Sequence, residues 1–223
     1  MDRFFKYFDS IKILELRKCI MIWRVSILFV EIIFFGRGGQ GGVTAANILV
    51  RAALLQGLYG QGFPFFGAER RGAPVKAFAR ISDKPILRHG MFDDADILIL
   101  LDHRLAKIGL AKTIGIRDNG TVIVNTSSKD DVDVSDFKFY GRGKIYVVDA
   151  TNIAIRNKLV IAGWPVVNTA ILGSFSKATG IIDVNNIAKA VEEYFGEKKE
   201  IAKANVKAVY DAYKETFLAK EVG

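Results

Sequence analysis

Metal-ligating side chains are scarce here: the chain of 223 residues has one cysteine, Cys19, and two histidines, His89 and His103. An iron–sulfur cluster usually takes four thiolates, and a structural zinc site takes four Cys or His ligands. One Cys and two His build neither, so any electron-transferring cluster has to sit on another chain. A lone cysteine also forms no intramolecular disulfide, which fits a reducing cytoplasm. A Lys/Arg-rich run is missing too. The net charge is +8, of which residues 1–30 supply +3 (six bases, three acids), and the bases are otherwise spread along the chain. With no RNA-binding or zinc-finger signature, a nucleic-acid partner is not expected.

An uninterrupted apolar run is absent as well. Ile20 to Phe35 is mostly apolar but carries Arg24 and Glu31. A spanning helix needs roughly 20 predominantly apolar residues, and a charge near its centre is costly. No small-residue cleavage site follows, so a secretory signal fits poorly. Membrane insertion is therefore not expected; a peripheral helix, or a true start near Val30, remains open. There is no internal repeat and no low-complexity linker. The expectation is one domain over 30–223, with 1–29 an N-terminal extension of unknown role.

Hydrophobic spacing then places the elements. Glu31 to Phe35 reads as a buried strand. Gly36 to Gly42 cannot continue it. Val43, Ala46, Val50, Ala53 and Leu54 share a helical face, and Gly57 sits where that helix should stop. Tyr59 to Phe63 is a second short strand, Pro64 to Pro74 an irregular loop, and Val75 to Ile81 a strand. Ile86 to Arg88 is a candidate hairpin partner. Asp96 to Leu101 has the continuous apolar character of a central parallel strand. A helix follows around His103 to Lys112, then a turn at Asn119-Gly120. Thr121 to Asn125 and Ile145 to Asp149 are strands, separated by a polar surface loop at 126–142. Helices are expected at 151–158, at 168–179 (capped by Asn168, ended by Gly180), after Asp183, and at 201–218. Lys220 to Gly223 reads as a frayed end. The fold class is α/β: a single domain, a mostly parallel sheet flanked by helices, with a Rossmann-like strand, Gly-rich turn and helix at its start.

Gly36-Arg-Gly-Gly-Gln-Gly41 matches G-x-G-x-x-G between a strand and a helix, the context that gives the motif value. Glycines let the backbone approach a ligand, and the helix N-terminus offers free N–H groups and a positive dipole end to phosphate. Arg37 adds charge and Thr44 a hydroxyl. A dinucleotide site usually has an acid about 20 residues on; here none occurs before Glu69. A dinucleotide site and a ligand-free tight turn both stay open on the motif alone. In Phe63-Pro-Phe-Phe-Gly-Ala-Glu-Arg-Arg-Gly-Ala-Pro74, Arg70 and Arg71 can grip a phosphate or carboxylate as forks. The phenylalanines there can anchor a partner chain or fill the home core. Asp102-His103 reads as a strand-end Asp capping the next helix, not as an acid–base pair. His89 reads as a surface loop residue and Cys19 as a poor nucleophile candidate. No Ser-His-Asp or Cys-His set and no purposeful carboxylate pair is visible.

Taken in order, Phe35-Gly-Arg-Gly-Gly-Gln-Gly41, the 63–74 loop, Ile81-Ser-Asp-Lys-Pro-Ile86, Asn168-Thr-Ala-Ile-Leu-Gly173 and Lys177-Ala-Thr-Gly180 resemble the gamma subunit of pyruvate (2-oxoacid):ferredoxin oxidoreductases. The resemblance runs from about residue 30 to the end. It implies a subunit that is not catalytic alone, in a complex converting pyruvate, coenzyme A and oxidised ferredoxin to acetyl-CoA, CO₂ and reduced ferredoxin. It also implies alpha, beta and delta partner chains, with thiamine diphosphate and 4Fe-4S clusters held there. In such a subunit Gly38, Gly39, Gln40, Gly41, Arg70 and Arg71 would face the nucleotide end of coenzyme A. A gamma subunit for branched-chain 2-oxoacids and a freestanding dinucleotide-binding protein are the alternative readings. The location implied is cytoplasmic.

Overall fold

The computed structural model describes residues 28–64 and 72–223. Strand β1 is Phe29–Arg37. Its side chains alternate between two buried faces: Ile32 and Phe34 enter one core, Ile33 and Phe35 the other. A strand covered on both faces shows an unbroken apolar run instead of an alternating one. Helix α1 (Gly42–Leu55) follows, then β2 (Tyr59–Pro64), β3 (Pro74–Ser82) and β4 (Asp94–Leu100). Next come a short α2 (Arg104–Lys107), β5 (Gly115–Asn125), the short β6 (Lys138–Phe139), β7 (Gly143–Val148) and α3 (Ala150–Arg156). A two-stranded ribbon, β8 (Val160–Ile161) and β9 (Trp164–Pro165), precedes α4 (Ala170–Thr179), α5 (Val184–Phe195), α6 (Lys199–Glu215) and β10 (Phe217–Val222).

The main sheet runs β10-β7-β5-β4-β1-β3-β2, with β6 beside β5. Its centre, β7, β5, β4 and β1, is parallel. Strands β3, β2 and β10 join antiparallel on the two flanks. One face is covered by α1, α3, α4, α5 and α6. The other has a thinner cover from α2, a 3-10 turn and the 126–142 segment, whose Val132 and Phe137 are buried. The α/β class with a parallel-rich central sheet is as expected.

The chain leaves β1 through α1 towards β2, on the far side of β3, and leaves β4 through α2 towards β5. Those exits diverge, so a crevice opens outside the carboxyl ends of β1 and β4, where open α/β sheets bind ligands.

Several expectations need correction. The buried face of α1 is Ala45, Ala46, Ile48, Leu49, Ala52 and Ala53, and Leu54 is half exposed. The apolar residues almost encircle this alanine-rich helix, so periodicity alone fixes its rotation poorly. Ile86 to Arg88 is not a strand. Asn119-Gly120 lies within β5, which is a strand from Gly115 onward; Asn119 has φ 61, and the pairing to β4 skips between Ala95 and Ile97. The turn signal thus marks a break in register, where β5 advances from Ile116 to Thr121 while β4 advances from Ala95 to Ile97. The 126–142 segment is not merely a surface loop, since it closes the second core. Asn168 does not cap α4: its Oδ1 accepts from Thr169 N (2.9 Å), and the helix begins after Thr169 without a side-chain cap. The last helix stops at Glu215, and residues 217–222 form an edge strand on β7 instead of a frayed end.

Phe63 goes to the home core, stacked on Phe78 at 5.2 Å and edge-on to Phe92. Phe65, Phe66, Glu69, Arg70 and Arg71, like Cys19 and residues 1–27 generally, lie outside the described residues. Among the described residues no helix is long and apolar enough to cross a membrane.

Candidate functional site

The glycine turn closes the carboxyl end of β1. Arg37 N donates to Gln40 Oε1 (2.7 Å) and Gln40 N donates to Arg37 O (3.0 Å), so the Gln40 side chain braces the turn from within. Gly41 ends the turn at φ 80 as the N-cap of α1. A Cβ there would lie 2.6 Å from Asn168 Nδ2, so only glycine allows both the left-handed backbone and this approach. Lacking a side chain, Gly41 cannot cap the helix, and the first-turn N–H groups of α1 have no intrahelical acceptor. They are available to an anion together with the positive end of the helix dipole.

The far end of the 63–74 segment returns to this turn. Gly38 N donates to Ala73 O (2.8 Å), Gly72 N donates to Gly38 O (3.1 Å), and Arg37 Nη1 donates to Gly72 O (3.2 Å).

Asp102, just beyond β4, is the electrostatic centre. Its carboxylate accepts from Arg37 Nε (2.7 Å), Arg104 Nε (2.9 Å), Arg104 Nη2 (2.8 Å) and Arg104 N (3.0 Å). The Asp102 side chain is 3% exposed, that of Arg104 63%. Burial alone would push the Asp102 carboxyl up. The hydrogen bonds from Arg104 and Arg37 outweigh it and hold the pKa at about 2. Two guanidiniums share one carboxylate, leaving a net positive charge at the crevice mouth. Asp102 therefore does accept the N–H two residues ahead, as a capping Asp would, and it also anchors two arginines. Among the described residues, the side-chain partners of the Asp102 carboxylate are these two arginines, not His103.

These groups wall a cavity of about 1140 Å³. Gly38, Gly39, Gln40 and Gly41 line it with Arg37, Thr44, Gly72, Arg104 and Thr151; Ile161, Ala162, Trp164, Pro165, Val166, Val167 and Asn168 complete it. Thr151 is set by Asn125, whose Nδ2 donates to Thr151 Oγ1 (3.0 Å) and to Leu101 O (2.9 Å), tying the ends of β4 and β5 to α3. The site is thus polar and cationic at the turn and apolar along the β8–β9 ribbon. That suits a ligand with phosphates at one end and an apolar group at the other.

A dinucleotide site of Rossmann type places its ribose-binding acid at the end of the parallel strand beside β1. Here the antiparallel β3 occupies that place, and β2 lies one strand further out. Among the described residues, no cluster of three or more His, Cys, Asp or Glu is placed to hold a metal.

A sequence model of the family described as pyruvate ferredoxin/flavodoxin oxidoreductase matches residues 31–215. The chain belongs to that family. Curated relatives place it among the gamma subunits of 2-oxoacid:ferredoxin oxidoreductases. The pyruvate/ketoisovalerate oxidoreductases common subunit gamma of Pyrococcus furiosus is 44% identical over 187 residues, covering 84% of this chain and 97% of that protein. Pyruvate synthase subunit PorC of Methanothermobacter thermautotrophicus is 42% identical over 186 residues, 83% of this chain and 95% of the other. The crystal structure of pyruvate oxidoreductase subunit PORC from Thermotoga maritima superposes with a TM-score of 0.69 at 32% identity, covering 86% and 99%. A 2-oxoglutarate:ferredoxin oxidoreductase from Magnetococcus marinus, solved with 2-oxoglutarate, coenzyme A and succinyl-CoA bound, shares the fold (TM-score 0.65, 18% identity). As a member of this family the chain is a subunit of a multi-subunit oxidoreductase, not a catalyst alone.

Within this gamma subunit, the structure brings Gly38 to Gly41 onto one cavity wall as the motif suggests. Sequence reasoning did not single out Arg104, Thr151 or the 160–165 ribbon, and gave Asn168 a different task. The ribbon had a weak signal: Gly163 lies between two apolar pairs, but Ala162 stands where the usual Asn-Gly or Asp-Gly hairpin would have Asn or Asp. Arg104 had none, because its role depends on Asp102 being buried beneath it.

Proposed function

We propose that this chain is the gamma subunit of a thiamine-dependent pyruvate:ferredoxin oxidoreductase and supplies part of its coenzyme A site. The complete reaction is pyruvate, coenzyme A and oxidised ferredoxin to acetyl-CoA, CO₂ and reduced ferredoxin. Thiamine diphosphate and the 4Fe-4S clusters belong to partner chains of alpha, beta and delta type, in the cytoplasm, with residues 30–223 forming the domain that joins them. The observation that carries the reading is one cavity in which the glycine turn, the α1 N-terminus and the Asp102-anchored Arg104 meet. Phosphate is the group that such donors bind best. Arg71 precedes Gly72, a residue of the cavity wall, in the sequence, and on this reading Arg70 and Arg71 are assigned to the phosphates as two further guanidinium forks.

In the assembled enzyme, Arg104→Ala should raise KM for coenzyme A about tenfold or more, the loss of a charge-assisted contact, and leave KM for pyruvate unchanged. The same holds for Arg70→Ala. Steady-state kinetics with each substrate varied in turn decide it, and an unchanged coenzyme A KM in both variants removes this chain from the site. A second reading has a specific support: relatives 44% and 45% identical are gamma subunits common to pyruvate and ketoisovalerate enzymes. Copurification of two different alpha–beta pairs with this gamma chain would identify it as shared.

A further inference from the structure

We propose that the β8–β9 ribbon is the base-recognition element of this site, with Trp164 the stacking platform for the adenine of coenzyme A. The proposal rests on the coenzyme A reading above and deepens it.

The ribbon turns through Ala162 (φ 49) and Gly163 (φ 80), both in the positive-φ region that a two-residue hairpin requires. An alanine in that region is uncommon and strained. Val166 N donates to Leu159 O (2.8 Å) and closes the base of the ribbon. So short a ribbon has little stability of its own, yet it carries two large apolar side chains: Ile161 is 69% exposed and Trp164 62% exposed. Both line the same cavity as Gly38 and Arg104.

That pairing selects the ligand. The turn, the α1 N-terminus and Arg104 are complementary to phosphate. An exposed indole beside an aliphatic side chain is complementary to a flat heteroaromatic ring. Only a molecule that joins the two satisfies the whole wall, and the volume, about 1140 Å³, is large enough for a nucleotide with its linking chain. Trp164 thus discriminates nucleotide-bearing from nucleotide-free thiols and has no part in bond making.

The test uses the purified hetero-oligomeric enzyme with Trp164→Ala and Trp164→Phe, and compares coenzyme A with pantetheine, which has the same thiol but no nucleotide. Base–aromatic stacking predicts that Trp164→Ala raises KM for coenzyme A at least about fivefold. It should leave kcat, the pyruvate KM and the pantetheine KM within about twofold of wild type, and Trp164→Phe should retain most of the affinity. An 8-azidoadenine analogue of coenzyme A should label the ribbon on irradiation. An unchanged coenzyme A KM in Trp164→Ala overturns the proposal, as does an equal rise with pantetheine. Loss of partner chains from the Trp164→Ala preparation also overturns it, because the ribbon is then a subunit interface. If Arg104→Ala raises the coenzyme A KM and Trp164→Ala does not, only the stacking role fails. If neither variant responds and the analogue leaves the gamma chain unlabelled, the coenzyme A reading fails with it.

Discussion

Asp102 is worth most where its charge is kept. Its folded pKa, about 2, lies below the ordinary carboxylate value. The stabilisation it gives is therefore fully present above roughly pH 4 and is lost as pH falls through about 2, an effect on the order of 2 kcal/mol. Asp102→Asn should flatten that part of the acid limb in urea denaturation measured between about pH 5 and 2. It also frees Arg37 and Arg104 from their shared anchor. Gly41 acts by geometry alone. Gly41→Ala forces a side chain into a left-handed backbone against Asn168 and should cost about 1–3 kcal/mol. A lowered Tm together with weaker coenzyme A binding is the expected result; an unchanged Tm would mean that Asn168 swings away freely. The glycines of this turn were legible in the sequence because φ and steric limits are local. The bond of Arg37 to Asp102 was not, because 37 and 102 meet only when β1 and β4 pair.

Between elements, α4 packs closely on α6. A Cβ at Gly173 would run into the carbonyl oxygen of Val209, so the helices touch backbone to backbone there. Gly173→Ala must push them apart and should destabilise the chain by about 1–3 kcal/mol, the usual cost of overpacking, readable as a drop in Tm. Two helix ends were marked in the sequence: Asp183 Oδ1 accepts from Asn185 N (2.8 Å), and Gly180 ends α4 at φ 64. Strand β10 was hidden. Phe-Leu-Ala-Lys-Glu-Val carries two charges, is half exposed, and continues the pattern of α6; its state is decided by the free edge of β7, to which it pairs.

Across the whole molecule, charge is sorted to opposite ends of the strands. At the carboxyl ends lies the Asp102 cluster. At the other end Glu31 accepts from Arg80 Nε (2.8 Å) and Arg117 Nη2 (2.6 Å), and Arg117 Nη1 donates to Asp96 (3.0 Å), joining β3, β1, β4 and β5. The Glu31 and Arg80 side chains are 4% and 3% exposed. Removing one member leaves a buried charge without its partner. Glu31→Gln should therefore cost about 3–5 kcal/mol in urea denaturation, far more than an exposed ion pair. A loss below about 1 kcal/mol would show that water reaches Arg80 in the variant.

The sequence by itself determined the class of fold, the strand–turn–helix at 31–55, the glycine turn and the impossibility of a four-cysteine cluster on this chain, because periodicity, backbone freedom and ligand counts are properties of neighbouring residues or of composition. Only the tertiary structure decided that β3 inserts beside β1, that Asp102 draws Arg37 and Arg104 to the crevice, and that the 160–165 ribbon completes the cavity. The contact of Arg37 with Asp102 spans 65 residues, and no local pattern encodes which distant strands the sheet will set side by side.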